Sequence, residues 1–174
     1  MGSSMARHRD GTRSAIDRGI AGGQAPVTIA VFWIPALLDA LLIFFLSSRP
    51  RPEDDLPPGS ILELLYESTP GADKVTHFLS FFIFAALCSL AFNASRPART
   101  PSAVRDNAIL VALVAIVYAA SDEVHQHFVP PRAPDLADFL ADCLGALFGT
   151  AVLAWLALRK MRAARAHGEL PQAR

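Results

Sequence analysis

Four long apolar segments follow one another along the chain and are separated by polar connections. The segments are residues 27–46, 75–92, 108–120 and 136–158. A helix that crosses a bilayer needs roughly 20 mostly apolar residues, a length that the first and fourth segments reach and the second nearly reaches. The segments also lack the polar face that surface helices of water-soluble domains present. The pattern therefore predicts an all-α, polytopic membrane protein, a bundle of four transmembrane helices at about 27–47, 73–93, 106–127 and 136–159.

The third segment, "AILVALVAIVYAA", is too short to cross a membrane alone. At a rise of about 1.5 Å per residue it covers only about 20 Å, whereas the hydrocarbon core is roughly 30 Å thick. A spanning helix must therefore continue through "SDEVHQHF", residues 121–128. This continuation places charged and polar side chains at membrane depth.

Segments rich in Arg and Lys alternate with acid-rich connections along the chain, and this alternation predicts the orientation. Loops rich in Lys and Arg remain cytoplasmic, so both termini and the 93–107 connection are expected inside. The 47–74 and 121–136 connections are expected outside. The basic residues are Arg7, Arg9, Arg13 and Arg18, then Arg96, Arg99 and Arg105, then Arg159, Lys160, Arg162 and Arg165. The acidic residues are Glu53, Asp54, Asp55, Glu63, Glu67 and Asp73, then Asp122, Glu123 and Asp135.

Composition supports a single membrane domain, predicted at 27–160. Charged residues make up 18% of the chain, against roughly 25% in soluble domains, and a net charge of zero gives no basic signal for nucleic acid. Residues 1–26 are predicted to be a disordered cytoplasmic tail and residues 161–174 a basic cytoplasmic tail. "ILELLYES", 61–68, is predicted to form a short helix on the membrane surface. Cys88 and Cys143 lack metal-binding spacing and are interpreted as small buried apolar residues.

Polar residues near the outer ends of the predicted helices fall on common faces when they are placed at about 100° per residue. The three faces are Asp73, Lys74 and His77 on the second segment, Asp122, Glu123 and Gln126 on the third, and Asp135, Asp138 and Asp142 on the fourth. The last face continues as a stripe of small residues, Gly145, Ala146 and Gly149, which allows close helix packing. His125 points away from its neighbours and is interpreted as an interfacial residue, and His127 borders the face of the third segment.

These polar faces predict a pocket, because a charged side chain in hydrocarbon costs at least about 2.5 to 3.5 kcal/mol. Several carboxylates are tolerated there only when they face one another, a cation or water. We expect a pocket open to the outside, walled by helices two, three and four and covered by "VPPRAPD" with Arg132 as its fixed cation. The predicted binding residues are Asp73, Lys74, His77, Asp122, Glu123, Gln126, Arg132, Asp138 and Asp142. Alternatively, Asp138 and Asp142 only pair with Lys74 and Arg132 to hold the helices together. Asp39, in mid-membrane, is either a packed hydrogen-bonded residue or part of a proton path.

Three stretches resemble the VanZ-like family of small bacterial membrane proteins. They are "DKVTHFLSFFIFAAL" (73–87), "SDEVHQHFVPPRAPDLADFLADCLGALFG" (121–149) and "LSSRP" (46–50). The family pattern is matched at Asp73, Lys74, His77, Phe78, Asp122, Glu123, Gln126, Phe128, Pro130, Arg132, Asp138, Asp142 and Gly145. Pro131 replaces the usual Gly, Pro134 and Asp135 replace a small polar stretch, and Asp142 stands where Asn is frequent. The resemblance covers about residues 30–158 and implies a multi-pass protein of the bacterial plasma membrane with a function of the teicoplanin-resistance type.

Three functions remain open on the sequence alone. The first is binding of a cell-envelope component, such as a lipid-linked precursor, or of a glycopeptide at the outer face. The second is a membrane-embedded enzyme acting on a lipid-linked substrate, in which Glu123 or His77 is the general base, Lys74 and Arg132 clamp an anion, and the acidic cluster holds a divalent cation. The third is an ion- or proton-coupled transporter, which the lack of an internal repeat disfavours. The bilayer is the one partner that every alternative shares, and no cofactor or oligomeric state is predicted.

Overall fold

The computed structural model describes residues 26–50 and 56–167. These two ranges contain five helices, which we number in chain order: α1 Pro26–Ser47, α2 Ile61–Ser68, α3 Ala72–Ser95, α4 Pro101–Gln126 and α5 Leu136–Ala166. Within these ranges there is no strand, so the all-α prediction is confirmed. Helix α2 is the predicted "ILELLYES" element, and the other four helices contain the four apolar segments.

Helices α1, α3, α4 and α5 are long and apolar enough to cross a membrane. Large apolar side chains on their outer surfaces are exposed, among them Leu41 at 63%, Val117 at 68% and Leu144 at 60%. Such a surface matches a lipid solvent rather than water. The prediction of a multi-pass membrane protein with four transmembrane helices is therefore confirmed.

Local capping explains where two of these helices begin. The side chain of Thr100 accepts a hydrogen bond from the Ala103 N–H at 3.2 Å, and Pro101 occupies the first turn, so α4 begins before the expected residue 106. At its other end α4 continues to Gln126, as the short third segment required. The side chain of Asp135 likewise accepts from the Ala137 N–H at 2.8 Å at the start of α5.

Parts of the predicted tails lie outside the described residues. These parts are residues 1–25 and 168–174. Glu53, Asp54 and Asp55 of the acidic connection also lie outside the described residues. Helix α5 continues to Ala166, beyond the expected end at 159, because the sequence there is rich in Ala and Arg, which favour helix formation.

Helix α3 lies at the centre of the bundle and packs against every other spanning helix, most extensively against α5. These two helices run parallel, because Gly145 and Gly149 of α5 follow Phe78 and Phe82 of α3 in the same order. A Cβ atom added at Gly145 would collide with the carbonyl oxygen of Phe78, and one at Gly149 with that of Phe82. The predicted small-residue face of α5 is therefore its packed face, where the two backbones touch.

Alternation of helix direction brings four helix ends together. The C-terminal ends of α1 and α4 are joined by a hydrogen bond from Ser47 Oγ to Asp122 Oδ2 at 2.9 Å. The N-terminal ends of α3 and α5 are joined by Lys74 Nζ and Asp135 Oδ2 at 2.7 Å. The predicted polar faces thus meet at one end of the bundle, above an apolar core that includes Phe81, Phe84 and Val111.

Candidate functional site

Lys74 joins the first turns of α3 and α5 through three carboxylates. Its ammonium lies 2.8 Å from Asp73, 2.7 Å from Asp135 and 2.7 Å from Asp138. Of these three contacts, the one to Asp135 Oδ2 is a hydrogen bond. Asp135 lies just outside the spanning segment, and the Lys74 ammonium holds the pKa of its carboxyl below the usual value. Lys74 therefore holds the first turns of α3 and α5 together.

His77 and Asp142 form a buried pair between α3 and α5. His77 Nδ1 lies 3.0 Å from Asp142 Oδ1, and Asp142 is fully buried. The second ring nitrogen, Nε2, lies 3.8 Å from Asp138 Oδ2. A carboxylate bonded to one imidazole nitrogen fixes the orientation of the ring. This arrangement serves equally for a general base and for a metal ligand.

Asp122 of α4 is buried and bound by two neutral donors. Its Oδ2 accepts hydrogen bonds from Ser47 Oγ at 2.9 Å and from Gln126 Nε2 at 2.8 Å. Gln126 was expected in the site, whereas Ser47 of α1 was not singled out. The one sequence indication of Ser47 is its place in "LSSRP", one of the stretches that carry the family resemblance. Asp122, His77 and Asp142 also lie close enough together to ligate a metal ion.

Glu123 binds the backbone at the start of α5. Its Oε2 accepts a hydrogen bond from the Asp135 N–H at 3.0 Å, an interaction that favours a carboxylate near a helix N-terminus. Its Oε1 is buried and has no hydrogen-bond partner in the described ranges. No hydrogen bond joins Glu123 to His77 among these residues, so the structure gives Glu123 a connecting role between α4 and α5.

Two adjoining cavities lie at this end of the bundle. The inner cavity, about 70 Å³, lies between α1, α3 and α4, and the outer cavity, about 240 Å³, extends to Tyr66 of α2. Both are lined by Leu46, Thr76, His77 and Arg132. The sequence predicted a pocket walled by the second, third and fourth spanning helices, which are α3, α4 and α5. In the structure the cavities are lined by α1 as well, and no carboxylate of α5 is among the lining residues. The reason is the glycine contact between α3 and α5, which leaves no space between those helices.

Arg132 places a cation in both cavities. The "VPPRAPD" segment turns back on itself here, with the Arg132 N–H donating to the Val129 carbonyl at 2.7 Å. No carboxylate of the described residues lies within ion-pair distance of the Arg132 guanidinium. Arg132 lines both cavities, so its side chain is available to an anion there.

Several polar residues lie outside this arrangement. His125 bonds to Ser48 through Nε2 at 2.9 Å and stacks on Phe44 at 4.4 Å between ring centroids, so it faces α1 and lies apart from the pocket. His127 is exposed. Asp39 lies about two turns before Ser47 on α1, and its buried Oδ2 has no hydrogen-bond partner in the part of the chain that the structure describes. Cys88 and Cys143 are free thiols.

Comparison with known proteins places this site in a recognised family. The family described as VanZ/LLP1 matches residues 32–158, a range that includes most of α1, all of α3 and α4, and every predicted site residue. No curated protein and no solved structure matches the chain.

Proposed function

The chain belongs to the VanZ/LLP1 family, and we propose that it is a multi-pass protein of the bacterial plasma membrane whose cavities bind the anionic headgroup of a cell-envelope component. The observation that carries this proposal is Arg132, which lines both cavities and has no carboxylate partner in the described ranges. Arg132 is half-buried, so an anion can approach this side chain.

The chemistry of Arg132 favours a phosphate or a carboxylate as the bound group. A guanidinium has planar, forked donors that match the oxygens of either anion. Lys74 is less suited to bind an anion, because three carboxylates already lie within 2.8 Å of its ammonium. Leu46 and Leu56 line the outer cavity and suit the first carbons of a lipid chain. A lipid phosphate therefore matches both the charge and the apolar part of the lining.

Cavity size distinguishes a headgroup from a whole glycopeptide. The outer cavity measures about 240 Å³, below the roughly 300 to 1,000 Å³ of pockets for drug-sized ligands. A phosphate with its adjoining groups fits this volume, whereas a complete glycopeptide antibiotic exceeds it. The size thus favours an envelope lipid over a glycopeptide as the ligand.

Binding of a polyprenyl phosphate to the purified protein in nanodiscs tests this proposal. Arg132→Gln is expected to weaken binding at least about tenfold, since a hydrogen bond to a charged group contributes about 1.5 to 3 kcal/mol. The matched control is Arg105→Gln, which alters an exposed arginine at the other end of the bundle and is expected to leave binding unchanged. Equal affinity of Arg132→Gln and the unaltered protein would contradict the proposal.

The proposal places the site on the outer side of the membrane. In the structure Arg96, Arg99 and Arg105 lie at the end opposite the cavities, as does Lys160, and basic loops remain cytoplasmic. Reporter fusions inserted after Gly59 and after Ala133 are therefore expected outside, and a fusion after His167 inside. A cytoplasmic readout at either of the first two positions would overturn this orientation.

A second candidate, hydrolysis of a lipid-linked substrate, is favoured by the His77–Asp142 pair beside the cavities. Asp142 orients the imidazole, which could then take a proton from water. Glu123 is less suited to this role because its Oε2 is bound to the Asp135 N–H. If the protein is an enzyme, it is expected to release phosphate from a polyprenyl diphosphate. His77→Gln is expected to abolish this release while the substrate still binds. Absence of any release by the unaltered protein would reject catalysis on this substrate and leave the binding function.

A further inference from the structure

The innermost part of the site brings one residue from each of three helices together. One ring nitrogen of His77 (α3) and one carboxylate oxygen each of Asp122 (α4) and Asp142 (α5) lie within 4.8 Å of one another. All three side chains are largely buried, and Asp142 has no exposed surface. Residues distant in sequence thus present one nitrogen and two oxygen donors to a common point.

A hydrogen-bond deficit at Asp142 points independently to a missing partner. Its Oδ1 accepts from His77, but its Oδ2 is buried and has no hydrogen-bond partner in the described part of the chain. Nearly all buried polar atoms in folded proteins are paired, because an unpaired one costs free energy. A cation beside Oδ2 would supply the interaction that no described residue of the protein provides.

The balance of charge around this point also calls for a cation. Besides Asp122 and Asp142, the carboxylates of Asp138 and Glu123 face the same region. The fixed positive charges are Lys74, which is shared among three carboxylates, and Arg132 at the cavities. Such an excess of negative charge at membrane depth is expensive, and a divalent ion would reduce it.

Hydrogen-bond donors orient Asp122 in the way that residues around a metal site orient a ligating carboxylate. Ser47 and Gln126 both donate to its Oδ2, and no hydrogen bond from a described residue engages its Oδ1. Metal ligands are commonly oriented by hydrogen bonds of this kind, which leave another atom for the metal. The inner cavity of about 70 Å³, lined by His77 and Asp122, has room for a water in an open coordination position.

From these observations we propose that His77, Asp122 and Asp142 bind one divalent transition-metal cation. The donor set favours Zn²⁺ or Mn²⁺, because imidazole suits transition metals while Ca²⁺ takes six to eight oxygens. Metal–ligand distances of about 2.0 to 2.2 Å correspond to ligand separations of roughly 3 to 3.5 Å. Binding would therefore require the three side chains to rotate, so that their donors move from within 4.8 Å of one another to that range. The site is independent of the proposed headgroup binding and is tested with the metal alone.

The experiment measures metal bound to the full chain, purified in detergent and stripped with a chelator. The protein is titrated with Mn²⁺, followed by electron paramagnetic resonance, and with Zn²⁺, followed by elemental analysis after desalting. We expect one equivalent of at least one of these ions, and a loss of affinity of at least about tenfold in Asp142→Asn and in His77→Gln. The matched controls are Asp39→Asn, another intramembrane aspartate, and His125→Ala, another histidine near the same end. Both controls are expected to bind as the unaltered protein does.

Several outcomes would overturn the proposal. They are absence of binding to the unaltered protein, unchanged affinity in Asp142→Asn and His77→Gln, or an equal loss in the two controls. Size-exclusion chromatography identifies any variant that no longer folds. If Asp142→Asn or His77→Gln fails this check, Asp122→Asn replaces it. Absence of metal binding by the unaltered protein overturns the proposal whichever variants fold. Arg132→Gln is expected to retain the metal and lose the polyprenyl phosphate. Failure of metal binding is therefore distinguishable from failure of headgroup binding.

Discussion

The two ends of the bundle both bury polar side chains between α3, α4 and α5, but they do so with different chemistry. The site end holds Lys74, His77 and several carboxylates beside cavities of about 70 and 240 Å³. The opposite end has a cavity of about 410 Å³ between α3 and α5, whose lining includes Lys160. Between α3, α4 and α5 it has a space of about 10 Å³ lined by the neutral polar groups of Ser89, Asn93, Asn107 and Thr150. That space is barely large enough for one water.

At the opposite end the polar groups bind one another or the nearby backbone. Asn107 Nδ2 donates to the Arg96 carbonyl at 3.0 Å and lies 3.4 Å from Asn93 Oδ1. Thr150 Oγ1 donates to the Ala146 carbonyl at 2.7 Å. Hydrogen bonds of this kind are usual between membrane helices and contribute to packing. At the site end, by contrast, Asp142 retains an unpaired oxygen. Buried polarity alone therefore does not mark a site, and the two ends differ in that the site end buries carboxylates.

The largest expected effect on stability comes from disrupting the close packing of α3 against α5, the two helices that contribute to both ends. Gly145→Val should separate α3 from α5, because a Cβ at this position meets the Phe78 backbone, and should cost about 3 kcal/mol or more. Thermal unfolding in detergent measures the loss. The control is Ala151→Val, an exposed position on the same helix. Equal unfolding temperatures for the two variants would show that the close approach is not essential.

A smaller effect is expected from removing the ammonium of the site end. Lys74→Met leaves Asp73, Asp135 and Asp138 facing one another, and it should destabilise the protein by about 1 to 3 kcal/mol. Breaking a buried pair costs more, but Lys74 is one-third exposed and solvent screens it. Lys160→Met alters an exposed lysine at the opposite end and should change the unfolding temperature little. Similar shifts for both lysines would remove the distinction between the ends.

The neutral polar groups between α3 and α4 at the opposite end are expected to affect stability without affecting binding. Asn107→Ala deletes the hydrogen bond to the Arg96 carbonyl and should cost about 1 kcal/mol. Polyprenyl phosphate and metal should bind to this variant as they do to the unaltered protein. If either affinity fell, the opposite end would belong to the functional site after all.

The smallest effect concerns acid stability at the site end. Lys74 lowers the pKa of Asp135 in the folded protein, so this carboxyl stabilises the fold above its unfolded pKa of about 3.9. That stabilisation is lost as the pH falls from about 4 through the lower folded value. Asp135→Asn should therefore flatten the decline in unfolding temperature below about pH 4. Asp106→Asn, at the opposite end beside Arg105, is expected to keep the original profile, and a flattening there would contradict the assignment.

Much of this fold follows from local patterns in the chain. The four apolar segments predicted the spanning helices, and the short third segment predicted the continuation of α4 to Gln126. The spacing of Asp138, Asp142 and Gly145 predicted a single buried face on α5, which the structure confirms. These features depend on helix geometry within one segment, so they can be read without knowing the neighbours.

The partners of each polar side chain were beyond such reasoning. Periodicity gives the direction of His77 on its own helix, but it does not say that Asp142 rather than Glu123 binds the ring. It also gave no reason to connect Ser47 with Asp122 across 75 residues. Pairings between helices depend on how closely the backbones approach, which the glycines of α5 determine only once a particular neighbour is present.

The sequence by itself determined that the helices lie in a membrane, that four of them span it, and at which end of the bundle the polar faces meet. Bilayer thickness and helix period act on each segment separately, so these features need no knowledge of the neighbours. Only the tertiary structure decided which charges are used up and which remain available. Lys74 forms ion pairs with three carboxylates. Among the described residues, Arg132 has no carboxylate partner, and Asp142 Oδ2 has no hydrogen-bond partner. That division depends on ångström-scale distances between helices, and the close approach of α3 to α5 is what produces it.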